Sequence, residues 1–362
     1  MSRTLRIAGS LLLALGLALP AAAAPAGLDQ TGKPDLKSAG ALAFGPKGVL
    51  FVGDPQGAQI VAVDVGQAPT SPIAAGFKLE GADAKVAALL GTKADDITIN
   101  DLVVEPGTNI AYASVSRGKG PSAEPAIVRI DGKGNVTALP LDKVAHAKVS
   151  ISNAPAAGAT DKRGQSLRTG VITDLAYVDG KLFIAGLSNE EFASKLRSIE
   201  FPFKSDNTGA SVEIFHTNHN AVETRSPVRT FVPFNVGGEP QILAAYTCTP
   251  LVTFPVGDLK AGKKVRGKTV AELGNRNVPL DMIVYEKDGK QYLLLTNTAR
   301  GVMKIPADNI DKQPALTEKV SDKAGLTYDT VESLQGIEQL DKLGNANALV
   351  LSKGTLQAVA LP

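Results

Sequence analysis

A chain of 362 residues with 38 basic and 36 acidic side chains, no tryptophan and one cysteine lacks the basic excess that nucleic acid or an anionic membrane surface calls for. Its single Cys248 excludes an internal disulfide. The length exceeds the usual single core, but closed all-β architectures carry such lengths as one domain.

Residues 1–26 read as an export signal. Arg3 and Arg6 precede the apolar run "LLLALGLAL" from Leu11, then Pro20 and the small-residue stretch "AAAAPA". The expected mature chain, residues 27–362, is therefore periplasmic or secreted. Its charge is balanced, because the signal removes two of the 38 basic residues and no acidic one, leaving 36 against 36. No later segment approaches the roughly 20 apolar residues of a membrane span. A lone thiol in an oxidising compartment is either buried and inert or kept for its chemistry.

From Leu42 onward one unit recurs: "LAFGPKGVLFVGDPQGAQIVAVD" from Leu42, "LVVEPGTNIAYASVSRG" from Leu102 and "LAYVDGKLFIAGLSN" from Leu175. It continues as "ILAAYTCTPLVTFPV" from Ile242 after "VRTFVPF", "MIVYEKDGKQYLLLTNTARGVMKI" from Met282, and "ALVLSKGTLQAVAL" from Ala348 after "GIEQL". Each copy is an apolar strand, a tight turn, a second apolar strand, a polar turn and a third strand. That is three strands of a four-stranded antiparallel blade, and the pattern predicts an all-β propeller of about six blades, seven being admissible. Two insertions interrupt it, at about 66–98 and 140–169. The first carries a helix predicted over residues 81–92, and the second, holding His146, reads as a surface loop. The last copy lacks an outer strand, and residues 28–38 are expected to supply it and close the ring.

The cadence resembles the exported bacterial propellers of the NHL, YVTN and gluconolactonase-like groups. The resemblance implies a fold and a range of functions: sugar or lactone hydrolysis, ligand binding or protein scaffolding. The absence of tryptophan argues against WD40 blades and against tryptophan-docked quinoprotein dehydrogenases.

Alternating strand direction gathers the first-strand starts, the second-to-third-strand turns and the blade-to-blade connections on one face, and such loop faces carry function. The starts "INDLVV", "VITDLAY" and "PLDMIVY" put Asp101, Asp174 and Asp281 at one equivalent position around the channel mouth. Blade one offers Ala41 there, blade four Thr230, and the last blade Gly336 or Glu338. The carboxylates can hold Ca²⁺, act as a general base in a lactonase-like hydrolase, or simply accept hydrogen bonds and order the blades. The turns add Asp54, Arg117, Asn189, Asn297, Arg300 and Lys353. With Lys162, Arg163, Arg168 and Arg225, the arginines form a rim that is either solvated or receives an anionic ligand or an acidic partner surface.

"HTNH", with His216 and His219, falls in the connection between blades three and four, and "YTCTP" puts Cys248 in a turn on the same face. Glu223 belongs with them. Residues three apart in a strand point to opposite sides, so the two histidines share a ligand only where the segment turns, as Asn218 and Asn220 suggest. Two imidazoles and a thiolate suit Zn²⁺ or copper, with Met282 or Met303 as a soft fourth donor. The plainer reading is a polar loop beside a small buried cysteine. The function expected is a binding or scaffold protein that engages a small molecule or a protein partner on the loop face. A metal-dependent hydrolase and a copper- or zinc-binding protein are the alternatives.

Overall fold

The computed structural model describes residues 24–67, 71–204 and 208–362, so nearly all of the predicted export signal lies outside the described residues. The chain forms a six-bladed β-propeller with one short helix, Ala82–Leu89, inside the range expected for it. The first three strands of each blade follow the sequence repeat. They are Leu42–Phe44, Val49–Asp54 and Gln59–Asp64 in blade one, and Ile97–Val104, Ala111–Arg117 and Glu124–Ile130 in blade two. Blade three has Asp174–Val178, Lys181–Leu187 and Ser194–Glu200, and blade four has Val228–Val236, Glu239–Tyr246 and Pro250–Pro255. Pro279–Lys287, Lys290–Asn297 and Val302–Pro306 build blade five; Gln339–Leu343, Asn347–Ser352 and Thr355–Ala360 build blade six.

The "DG" turns work because both central residues take positive φ, which a two-residue hairpin matched to strand twist requires. Asp179 and Gly180 have φ 50° and 78°, and Asp288 and Gly289 have 53° and 71°. The second strands are the most deeply set; all six residues of Val49–Asp54 are buried. Small residues permit the closest approaches: a Cβ on Gly186 would lie 1.9 Å from the Val171 carbonyl oxygen.

The fourth strands depart from expectation. Blade six is completed by Lys78–Leu79 from the first insertion, which pairs antiparallel with Thr355–Ala360. Blade one is completed by Val144–Ser150 from the second insertion, pairing with Gln59–Asp64. The N-terminal segment does not close the ring: Gln30–Gly32 adds a fifth strand outside Val144–Ser150. His146 is accordingly buried in a sheet, its Nδ1 3.1 Å from the Val144 carbonyl, and is not in a surface loop.

Nor do the blades follow chain order around the axis. Six apolar clusters mark the seams. Leu50 and Val52 pack with Tyr112 and Ile127, joining blades one and two. Leu102 and Val115 pack with Leu349 and Leu356, joining blades two and six. Phe51 and Ile60 meet Leu175 and Ile184, joining blades one and three. The remaining clusters join three to four, four to five and five to six. Around the ring the order is therefore one, two, six, five, four, three. The outer strand of blade three, Ala210–His216, is also bonded in parallel to Lys264–Arg266 from the connection inside blade four, which ties those two blades at the rim.

Candidate functional site

Two constellations share the loop face. The first lies on the axis. Asp101, Asp174 and Asp281 line a channel cavity of about 320 Å³, as the repeat predicted, and Asp341 of blade six joins them. Each carboxylate accepts its neighbouring residue's N–H with one oxygen and a backbone N–H of an adjacent blade with the other. Asp101 takes Leu42 N–H at 2.6 Å and Asp174 takes Phe231 N–H at 2.7 Å. Asp281 takes Leu340 N–H at 2.8 Å and Asp341 takes Val104 N–H at 2.7 Å. Blades one and four, which offer Ala41 and Thr230 where the others carry aspartate, thus contribute the N–H of the following residue.

These carboxylates order more than their own blade: they staple four of the six seams. They are partly open to the channel but otherwise enclosed by protein. Burial pushes Asp174 and Asp341 up to about 6 against the opposing backbone hydrogen bonds. Burial first, and then the charge of neighbouring ring members, holds Asp101 and Asp281 well above the ordinary carboxylate range. Asp341 was missed in the sequence because "GIEQLDKL" aligns loosely with the other first strands, and attention fell on Gly336 and Glu338.

The second constellation sits between blades three and four. His216 ends the outer strand Ala210–His216, residues 217–220 form a turn with Asn220 at φ 50°, and Ala221–Glu223 returns antiparallel. The reversal expected of "HTNH" therefore occurs, and it brings the two imidazole rings to 3.9 Å between centroids. Cys248 occupies the turn between Glu239–Tyr246 and Pro250–Pro255, in the left-handed region at φ 65°. Non-glycine residues rarely adopt that conformation, and here the Cys248 N–H, bonded at 2.8 Å to the Asn277 carbonyl, helps to fix it. One donor atom from each of His216, His219 and Cys248 lies within 4.8 Å of the others.

Glu223 orients both rings. Its Oε1 is 3.0 Å from His216 Nδ1 and 2.6 Å from His219 Nδ1, and its Oε2 accepts from the Ser226 hydroxyl. Burial raises its pKa, but the bonds from His216, His219 and Ser226 outweigh burial and bring it down to about 2. An ionised Glu223 accepts, so each Nδ1 donates to it and each Nε2 is left free of that bond. His216 is 2% exposed, and its Nε2 is buried without a hydrogen-bond partner among the described residues. Glu272, fully buried, lies 4.0 Å from that atom through Oε2 and is held by Thr217 N–H at 2.9 Å and Asn218 Nδ2 at 3.2 Å. It too escaped sequence reading, because a lone glutamate ending the strand Lys268–Leu273 carries no signal.

The remaining predicted residues are occupied elsewhere. Asp54 accepts from Lys37 N–H, Ser38 N–H and hydroxyl, Gly57 N–H and Gln59 Nε2, a purely local hub. Asn297 is buried and bonds Asn277 and the Leu295 and Gly301 carbonyls. Arg117 pairs with Glu124 at 2.7 Å, and Arg300 with Asp322 at 2.8 Å. Arg168 is spent on the Gln56 and Pro155 carbonyls. Asn189 and Lys162 are exposed. The basic rim is thus only partly satisfied internally, since Arg163 and Arg225, like Lys162, are exposed with no side-chain partner among the described residues. Met282 and Met303 pack in the apolar seam between blades four and five, so neither is placed as the soft fourth donor.

No protein-family model matches this chain, and no curated protein matches it. Among solved structures, the plexin A4 extracellular region (domains 1 to 10) aligns at 9% identity and TM-score 0.42, over 92% of this chain and 40% of that one. The chain thus spans less than half the length of the plexin chain. An oxidoreductase of the glucose dehydrogenase kind from Thermus thermophilus aligns at 12% identity and TM-score 0.34, over 91% of this chain and 99% of that one. The PQQ-bound aldose sugar dehydrogenase of Streptomyces coelicolor aligns at 12% and TM-score 0.32, over 91% and 97%. Likenesses this distant carry no argument about function, and they do not assign the chain to the NHL or YVTN groups.

Proposed function

We propose that this chain is an exported binding propeller whose loop face takes up a soft transition metal, Zn²⁺ or copper, on His216, His219 and Cys248. The observation that carries the reading is the convergence of three donors from a strand end, a hairpin and a strained turn, with His216 Nε2 buried and without a hydrogen-bond partner among the described residues. A carboxylate holding the far nitrogen of a ligating imidazole fixes tautomer and ring orientation in metal sites generally, and Glu223 stands in that relation to both histidines. Tetrahedral ligation at ordinary Zn–N and Zn–S lengths needs donor separations of roughly 3.6 Å. The set lies within 4.8 Å, and the reading requires side-chain rotation to bring it to ligating distance. His219 is exposed and Cys248 partly buried, which leaves the outward side open at His219 for a further ligand or for metal exchange.

Export follows from the reading of residues 1–26, and it makes ligation a reason to retain a single thiol in an oxidising compartment. The experiment is a competition titration of reduced mature protein against a chromophoric Zn²⁺ chelator and a Cu⁺ chelator. The reading requires one equivalent of at least one metal, lost in Cys248→Ser and His216→Gln. No stoichiometric binding of either metal, or binding indifferent to both substitutions, would sink it.

A further inference from the structure

At the mouth of the channel, above the aspartate ring, lies a second cavity of about 540 Å³. Its wall draws on five blades and includes the small residues Ala39 to Ala41 and Gly120. One cation reaches it without a counter-charge. Arg229, at the start of the first strand of blade four, lines the cavity and has no ion pair or side-chain hydrogen bond among the described residues. The other basic residue lining the cavity, Lys37, is paired with Asp35 at 2.8 Å. In the neighbouring blade three, the Thr173 hydroxyl also lines the cavity and is buried without a hydrogen-bond partner among the described residues.

We infer that this mouth seats the anionic group of a small molecule, a carboxylate or a phosphate, against the Arg229 guanidinium and the Thr173 hydroxyl. Three considerations carry this. A guanidinium offers a planar fork of donors suited to either anion, and here nothing in the protein uses it. A cavity of this size lies within the range of small-molecule sites. The oxygens of the aspartates beneath are occupied by backbone N–H groups, and burial raises these carboxyls, so their charge opposes an anion least on the acid side of neutrality. Arg229 is exposed at the mouth, open to a partner that arrives from outside. This seat is separate from the histidine–cysteine cluster and does not depend on it.

Calorimetric titration of the mature protein, held metal-free with chelator in chloride-poor buffer, tests the inference with inorganic phosphate in one arm and malonate in the other. One-to-one binding in at least one arm is expected, weakened at least tenfold by Arg229→Gln and severalfold by Thr173→Val, with unchanged melting temperatures showing that both variants fold. Heat confined to phosphate assigns the seat to phosphoryl groups; heat confined to malonate assigns it to carboxylates. Absence of binding in both arms, or wild-type affinity in Arg229→Gln, overturns the proposal.

Discussion

Acidification from pH 7.5 to 5.0 should stabilise this protein, an unusual direction that comes from the channel aspartates. Asp174 and Asp341 are raised from the ordinary 3.8 to about 6 in the folded chain. A carboxyl with a raised folded pKa contributes stability that is fully present below its unfolded pKa and is lost as pH rises through its folded one. At pH 5.0 such a group favours folding by about 1.4 kcal/mol, and at pH 7.5 by about zero, from the two-state proton-binding relation. The pair therefore supplies roughly 3 kcal/mol, or about half of that where channel water screens the ring. Asp101 and Asp281, also raised, act in the same direction. The assay is urea unfolding of chelated protein at half-unit pH steps. Asp174→Asn should lower stability at every pH, because one of two backbone N–H groups loses its acceptor, a cost of about 1–3 kcal/mol. It should also flatten the pH gradient by about 1.4 kcal/mol. A wild-type stability that is flat or falls between pH 7.5 and 5.0, or an Asp174→Asn gradient equal to wild type, would refute the reasoning.

Other substitutions probe the metal cluster, the seams and the closure. Glu223→Gln should leave the fold intact and weaken Zn²⁺ binding by about 10- to 100-fold, read by chelator competition, because the imidazoles lose the group that holds their tautomers. Gly186→Ala drives a Cβ into the Val171 carbonyl oxygen and should cost about 3 kcal/mol in urea unfolding. Gly257→Ala, with nothing within 4 Å, should be near neutral in the same measurement. Leu79→Ala removes a buried side chain from the two-residue strand that completes blade six and should cost about 2–3 kcal/mol.

The strand, turn, strand cadence was legible because apolar second strands and positive-φ turn residues leave a local signature. Asp179–Gly180 and Asp288–Gly289 announce their hairpins without help from the rest of the chain. The convergence of His216, His219 and Cys248 was legible for a related reason: blade direction alone puts a fourth-strand end and a second-to-third-strand turn on one face. What escaped were facts settled between blades. The closing strand Lys78–Leu79 is two residues long, and a strand that short carries no period-2 pattern to name its partner. Val144–Ser150 reads as a surface loop because its surroundings in the sequence are alanine-rich and basic, whereas its pairing with Gln59–Asp64 and Gln30–Gly32 is settled by the fold. With both edge strands misassigned, the exchange of blades one and two around the ring had no local trace. Arg229 differs from Arg117, Arg168 and Arg300 in lacking a side-chain partner among the described residues, and that is a property of its neighbours and not of its own sequence context.

The most direct test of the metal site is X-ray absorption at the zinc edge on reduced protein comprising residues 27–362, loaded with one equivalent of Zn²⁺. One sulfur scatterer at roughly 2.3 Å beside imidazole nitrogens at roughly 2.0–2.1 Å, with the sulfur lost in Cys248→Ser, is the result predicted. A shell of nitrogen and oxygen alone, or a spectrum indifferent to that substitution, would contradict it.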